Sequence, residues 1–286
     1  MRTILWLASY PKSGNTWFRA FLANLLGDGE EPAHINELNT GSIASARQVF
    51  DDLVGVDAAD LTPDEIDALR PAVYRRWAES YDDIGFHKIH DAYVRLDGEL
   101  PLIPAEATRG ALYFIRNPLD VAVSYAHHSG TDVGTVIDWM ADPTHCFAAG
   151  PRRLHEQLRQ QMLTWSGHVT SWVDQTEFPV HVVRYEDMRR CPEPTFGAAA
   201  AFAGLATEPA RLARAVAFAD FDELRRQEAA DGFSEKSPAA PSFFRKGEVG
   251  SWRGHLTDAQ VERLVADHGH VMERFGYLDR SGAPVF

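Results

Sequence analysis

The sequence predicts an α/β fold, a central mostly parallel β-sheet flanked by helices, and three observations predict it. Short apolar runs at Ile4–Ser9, 85–90, 111–116 and 180–185 are bounded as buried strands are. Stretches with apolar residues at helical spacing lie between them. The 286 residues, 45% hydrophobic and 24% charged, suffice for one domain with a sizeable core. Strands that alternate with helices form a parallel sheet, and its ligands bind beyond the carboxyl ends of the strands.

Each element follows in order. Ile4–Ser9 ends in Tyr10-Pro11, and a Gly-containing turn leads to a helix over 16–26, where Trp17, Phe18, Phe21, Leu22 and Leu25 recur at helical spacing. Residues 28–82 scatter Asp and Glu among short apolar stretches and read as a helical insertion, with Thr62 capping a helix that begins Pro63-Asp64-Glu65. After the 111–116 strand, Pro118 opens another helix. A long helix is expected over 154–173, and Ala-rich helices over 194–204 and 208–218. Residues 229–251, with Gly232, Pro238, Pro241, Gly247 and Gly250, read as a lid loop too long for a simple connection. Thr257 with Gln260 is a capping-box pattern opening a last helix through Phe275. The expectation is a single domain over 1–286.

Charge and composition exclude several classes. The net charge of −13 argues against general nucleic-acid binding, so an anionic ligand must be held by a local site. Two cysteines, Cys146 and Cys191, form neither a disulfide framework nor a zinc-ligand spacing, and a reducing cytoplasm is expected. The apolar run from Ile4 to Ala8 is too short for a signal-peptide core, and no segment reaches 18 apolar residues. Only four lysines accompany 24 arginines, and Lys12, Lys88 and Lys246 fall in the segments that follow.

Ser9-Tyr10-Pro11-Lys12-Ser13-Gly14-Asn15-Thr16-Trp17 joins the first strand to the first helix, where backbone amides and the positive end of the helix dipole make an anion site. Gly14 permits the tight turn, Ser13, Asn15 and Thr16 offer donors, and Lys12 adds a full charge. A nucleotide triphosphatase would carry G-x-x-x-x-G-K-[ST] here; Ser9 and Asn15 occupy the places of its first glycine and its lysine. Near the C-terminus, Arg245-Lys246-Gly247-Glu248-Val249-Gly250-Ser251-Trp252 adds two more cations on a glycine-rich turn.

The first loop resembles the 5′-phosphosulfate motif of sulfotransferases that use 3′-phosphoadenosine 5′-phosphosulfate (PAPS), with Asn15 in place of a threonine. Two distant segments resemble that family as well. Arg116-Asn117-Pro118-Leu119-Asp120-Val121-Ala122-Val123-Ser124-Tyr125 is similar to its 3′-phosphate motif, and the 245–252 segment to its closing loop, with Ser251 where an Asp is usual. The resemblance implies a P-loop-like sulfotransferase fold. It assigns Lys12 to the bridging oxygen of the phosphosulfate, Ser13, Gly14, Asn15 and Thr16 to the 5′-phosphate, and Trp17 to adenine. Arg116 and Ser124 would hold the 3′-phosphate, with Arg245, Lys246 and Gly247 closing over it. Tyr185 and Phe221 fit either as adenine neighbours or as plain core aromatics.

Sulfuryl transfer needs a base, cations at the leaving oxygen and in-line placement, and no metal. In Phe86-His87-Lys88-Ile89-His90-Asp91, a strand would project Lys88 and His90 from one face and His87 from the other. This fits the family's Lys-x-His, with His90 as general base and Lys88 stabilising the sulfuryl group. Asp91 follows where the family has Leu, and reads either as raising the basicity of the imidazole or as a turn cap, with the turn favoured. His127, His128, His145, His268 and His270 read as structural.

The expected activity is therefore transfer of a sulfuryl group from PAPS, releasing adenosine 3′,5′-bisphosphate (PAP), to a hydroxyl or amine of a small molecule. Phe86, Tyr93, Trp139, Phe147, Phe233, Phe243 and Phe244 suggest an acceptor with apolar bulk, in a pocket covered by 28–82, 129–153 and 229–244. The alternatives are a P-loop kinase and a non-catalytic nucleotide-binding protein. No nucleic-acid partner, membrane span or metal is expected; localisation is expected to be cytoplasmic, and oligomeric state stays open.

Overall fold

The structure, a computed structural model, describes residues 3–38, 40–97, 99–149, 155–205 and 208–286. Six wholly buried residues form β1 (Ile4–Ser9), and α1 (Asn15–Leu26) follows directly from the loop beyond it. Within 28–82 come a 3₁₀ turn at Ile35–Glu37, α2 (Arg47–Val54) and α3 (Pro63–Glu79). The Thr62 hydroxyl and the Glu65 side chain cap α3 reciprocally, so the first-turn amides are paired before the helix begins. Next are β2 (Gly85–Ile89), the short hairpin of β3 (Arg95–Leu96) and β4 (Leu100–Pro101), and β5 (Thr108–Ile115). Pro118 is the first residue of α4 (Pro118–Ser129), whose cap is the Asn117 side chain.

The second half of the chain departs more from expectation. The helix α5 (Val133–Ala141) is followed by β6 (Cys146–Phe147) and β7 (Gln160–Gln161), which pair antiparallel. The long helix expected over 154–173 reduces to α6 (Trp165–Val173), and Leu154 lies outside the described residues, as do 150–153 of the expected 129–153 cover. The cause is a period of two: Leu158, Gln160 and Met162 are buried while Arg159 and Gln161 point to the carboxylates of Asp67 and, through a backbone amide, Asp91. β8 (Val180–Arg184) hands over at once to α7 (Tyr185–Arg190), so Tyr185 opens a helix and does not end the strand. Then come α8 (Pro192–Phe202), α9 (Pro209–Phe218), α10 (Phe221–Asp231) and α11 (Asp258–Arg274), the last with the expected capping box. Because α10 runs to Asp231, the irregular stretch starts later than 229.

The sheet has the order β2-β1-β5-β8, with β1 and β2 parallel and Leu7 opposite Lys88. The chain divides into two compact units. The first comprises Met1–Tyr10, Thr40–Tyr113 and Asp142–Val182. Its core packs Trp6 edge-on to Tyr74 at 5.1 Å, and Tyr113 and Tyr10 around His168 at 5.7 and 5.4 Å. The second comprises Pro11–Asn39, Phe114–Ala141 and Val183–Phe286. There Phe18, Phe21, Phe114 and Phe196 form an aromatic core, with Phe21 stacked on Phe196 at 4.6 Å. The stretch 28–82 thus contributes to both units.

Candidate active site

In the second unit, Lys12 at φ 67° and Gly14 at φ 101° both adopt the left-handed backbone that turns the chain into α1. A Cβ on Gly14 would stand 2.8 Å from the Tyr185 ring, so only glycine lets the loop lie against it. Arg116 ties the loop down: Nη1 donates to the Lys12 carbonyl at 3.2 Å, and Nη2 donates to the Glu248 carbonyl at 3.0 Å. Its guanidinium lies 4.1 Å from the Tyr185 ring centre. The three segments singled out in the sequence therefore meet at one arginine.

Asp120 completes the arrangement. It is fully buried in the first turn of α4, and accepts from the Gly250 amide at 2.8 Å, the Trp252 amide at 2.9 Å and the Ser251 hydroxyl at 3.1 Å. A serine at 251 donates to this carboxylate, whereas an aspartate side chain would set a second negative charge beside it. Gly247 takes φ 66°, and a Cβ there would be 2.7 Å from Phe221. The Trp17 indole donates to the Ala219 carbonyl at 2.7 Å and meets Tyr185 edge-on at 5.8 Å. Arg189 spans the Trp17 and Phe221 rings, 5.5 and 5.9 Å from their centres.

The electrostatics fit an anion. Burial, and then the charge of Arg116, pull the Arg245 guanidinium below its ordinary arginine value. Ser13 Oγ and Arg116 Nε are buried without a hydrogen-bond partner among the described residues. Groups of this kind cost about 1–3 kcal/mol each when unpaired, a cost that phosphate oxygens would relieve. Lys12 Nζ sits 3.9 Å from the centre of the Phe243 ring.

The base candidates belong to the first unit. The His90 ring is just past the end of β2, and its Nδ1 lies 2.8 Å from the Ser9 carbonyl. A carbonyl only accepts, so Nδ1 carries a proton, with the Ser9 hydroxyl 3.3 Å from the same nitrogen, and in the neutral ring Nε2 then holds the lone pair. Lys88 and His90 are both half-buried. His87 turns the other way and is buried between the Tyr81 hydroxyl at 2.9 Å and the Ser42 carbonyl at 3.1 Å; burial lowers its pKa to about 4.

A model of the sulfotransferase domain matches residues 2–276. The chain belongs to the sulfotransferase family. It is 25% identical over 284 residues to sulfotransferase 1A1 of Canis lupus familiaris, covering 97% of this chain and 86% of that protein. Among solved structures, mouse sulfotransferase SULT7A1 complexed with PAP superposes with a TM-score of 0.60 at 17% identity, over 99% of this chain and 87% of that one. Retinol dehydratase in complex with androsterone and PAP gives 0.60 at 16% identity, over 95% and 81%. These two likenesses establish the fold.

The sulfotransferase brings Lys12, Ser13, Gly14, Arg116, Tyr185 and the 245–248 turn together, with Trp17 and Phe221 joined through Tyr185, Gly247 and Arg189. Asn15 and Thr16 are buried in the first turn of α1. Ser124 is half-buried one helical turn beyond Asp120, and Lys246 is exposed, with Glu248 at 4.0 Å. Asp91 is neither a cap nor a partner of the His90 ring. Its buried carboxylate takes Arg70 through two hydrogen bonds, at 2.9 and 2.6 Å, and the Gln161 amide at 3.1 Å. Sequence reasoning missed Asp120 as the anchor of the closing turn, Arg189 between two aromatics, and Glu228, whose carboxylate accepts from the Phe243 and Phe244 amides at 2.6 and 2.9 Å. The Asp120 signal was present, since it shares α4 with Ser124, but the carboxylate reads as a helix-entry charge until its partners are known. Among the described residues no helix is long and apolar enough to cross a membrane.

Proposed function

We propose that this sulfotransferase moves a sulfuryl group from PAPS to a hydroxyl of a small, largely apolar molecule. The observation that carries the reading is the cluster around Arg116, which joins the Lys12 loop to the Glu248 turn and leaves Ser13 Oγ and its own Nε for an anion. In this reading Ser13, Gly14, Asn15 and Thr16 hold the 5′-phosphate, Arg116, Ser124, Arg245, Lys246 and Gly247 hold the 3′-phosphate, and Trp17, Tyr185 and Phe221 flank the adenine. PAP in the similar solved structures supports the donor, and androsterone and retinol in the retinol dehydratase complexes support an apolar acceptor.

His90 serves as the base. Its Nε2 takes the acceptor's proton as the acceptor oxygen bonds to sulfur and the sulfur–oxygen bond to the phosphate breaks. Lys12 stabilises the charge that the phosphate oxygen gains, and Lys88 the sulfuryl oxygens. The hydrogen bond to Ser9 fixes the tautomer that this step needs, and Ser9 precedes Lys12 by three residues along the chain.

Titration calorimetry with PAP and with ATP, followed by a mass-spectrometric acceptor screen for an added SO3, tests the proposal. Tight binding of PAP, weak binding of ATP and a sulfated product are expected. Equal affinity for both nucleotides, or magnesium-dependent ATP consumption, refutes it.

A further inference from the structure

A second histidine stands behind the base. His168 in α6 is fully buried, and its Nε2 lies 3.0 Å from the backbone carbonyl of His90, to which it can only donate. Its Nδ1 must then accept, and it does so from the Tyr113 hydroxyl at 2.8 Å. The Tyr10 ring packs edge-on against the His168 imidazole at 5.4 Å, and the Tyr113 ring lies 5.7 Å from it. The His90 ring is held in turn by the Ser9 carbonyl, which accepts from Nδ1–H at 2.8 Å. Three bonds thus run in series, Tyr113 to His168, His168 to the His90 carbonyl, and His90 Nδ1–H to Ser9. These four residues and Tyr10 all belong to the first unit.

We propose that His168 is a positioning residue for His90, and that with Tyr113 it fixes both the backbone and the ring tautomer of the base. The inference rests on the reading of His90 as base. Carbonyls at both ends of this series leave one set of proton positions, because reversing either ring would set its lone pair against a carbonyl oxygen. The series also requires a neutral His168, and burial supplies that by lowering its pKa to about 4. Neighbouring anchors act on the same turn. The Trp172 indole donates to the Asp91 carbonyl at 3.0 Å, and the Tyr93 amide donates to the Ser171 hydroxyl at 3.0 Å, both partners being on α6. With its carbonyl and ring held, His90 meets the requirement that a reacting group stay within a fraction of an ångström of its working position.

The test compares His168→Phe, His168→Gln and Tyr113→Phe in the full chain. Ring ¹⁵N resonances report the His90 tautomer at pH 7.5, calorimetry gives the PAP affinity, and kcat is measured with the acceptor identified by the screen. The parent is expected to show His90 as the single Nδ1–H tautomer. His168→Phe is expected to show a mixture, with kcat lowered about 10- to 100-fold and PAP affinity within twofold. His168→Gln, whose amide can still donate to the His90 carbonyl, restores both readouts to within about threefold. If His168→Phe does not fold, Tyr113→Phe, which removes the donor to His168 Nδ1, is expected to give a mixture of His90 tautomers and to lower kcat. His90 staying a single Nδ1–H tautomer at the parent rate in either variant overturns the proposal. Normal turnover in His90→Ala instead overturns the assignment of the base, and leaves the tautomer result intact.

Discussion

Replacing Asp120 by Asn tests the closing turn without changing side-chain volume. The carboxylate splits its work: Oδ1 accepts from the Trp252 amide and the Ser251 hydroxyl, and Oδ2 accepts from the Gly250 amide. An asparagine must set its NH2 against at least one of those backbone donors, whichever way the amide faces. One buried hydrogen bond to a charged group is lost, worth about 1.5–3 kcal/mol. The change also removes the charge that stands 3.9 Å from Arg116 Nη2. A loss of about 2 kcal/mol corresponds to about 30-fold. Hydrogen exchange followed by mass spectrometry is therefore expected to show the 250–252 amides opening about 30-fold more readily, and calorimetry PAP binding weakened by a similar factor. Unchanged protection of those amides together with unchanged PAP affinity would refute the assignment of Asp120 as the anchor.

Three further outcomes follow from the same geometry. Gly14→Ala forces a side chain into left-handed backbone 2.8 Å from Tyr185 and is expected to cost about 1–3 kcal/mol, seen as a Tm lower by about 2–4 °C per kcal/mol in a protein this size. His90→Ala is expected to lose about 10²- to 10⁴-fold in turnover with PAP affinity kept, whereas Lys12→Ala impairs both, as steady-state rates and calorimetry would separate. His87 and His168 are held near a pKa of about 4 by burial, below the value of about 6.5 for an unfolded chain. The unfolded chain therefore binds the extra protons, and the stability these residues contribute is complete above about pH 6.5 and falls away toward pH 4. Urea melts at pH 7 and pH 5 are expected to differ by about 2 kcal/mol for each histidine; equal stabilities would contradict their burial as neutral rings.

Much of the fold was legible because its signals are local. A strand with no polar residue from Ile4 to Ala8, a Pro at the first turn of α4 and two capping boxes each declare themselves within a few residues. The error at 154–173 has the opposite character. Leu158 and Met162 are four apart, which suits a helix, but the residue between them that is buried is Gln160, and a polar residue facing inward carries no apolar signal. The side chains that hold the segment extended, Arg159 and Gln161, find their partner Asp67 more than 90 positions away in α3. No window of sequence contains that pairing.

The site divides along the same line. Lys12, Ser13, Gly14 and the 245–247 turn announce themselves by composition, because a cradle for phosphate needs glycines, donors and cations close together. The frame behind His90 does not, since it uses Tyr113 on β5, His168 on α6 and Arg70 on α3, each of which alone reads as a core residue with a polar tip. The Ser9-Tyr10-Pro11-Lys12 run belongs to both. The division between the two units falls after Tyr10. The Ser9 carbonyl accepts from the His90 ring, and from Pro11 onward the same run forms the loop whose Lys12 carbonyl Arg116 holds. A substitution at Ser13 is therefore expected to act on PAP affinity and to leave the His90 tautomer unchanged, as calorimetry and ring ¹⁵N resonances would show.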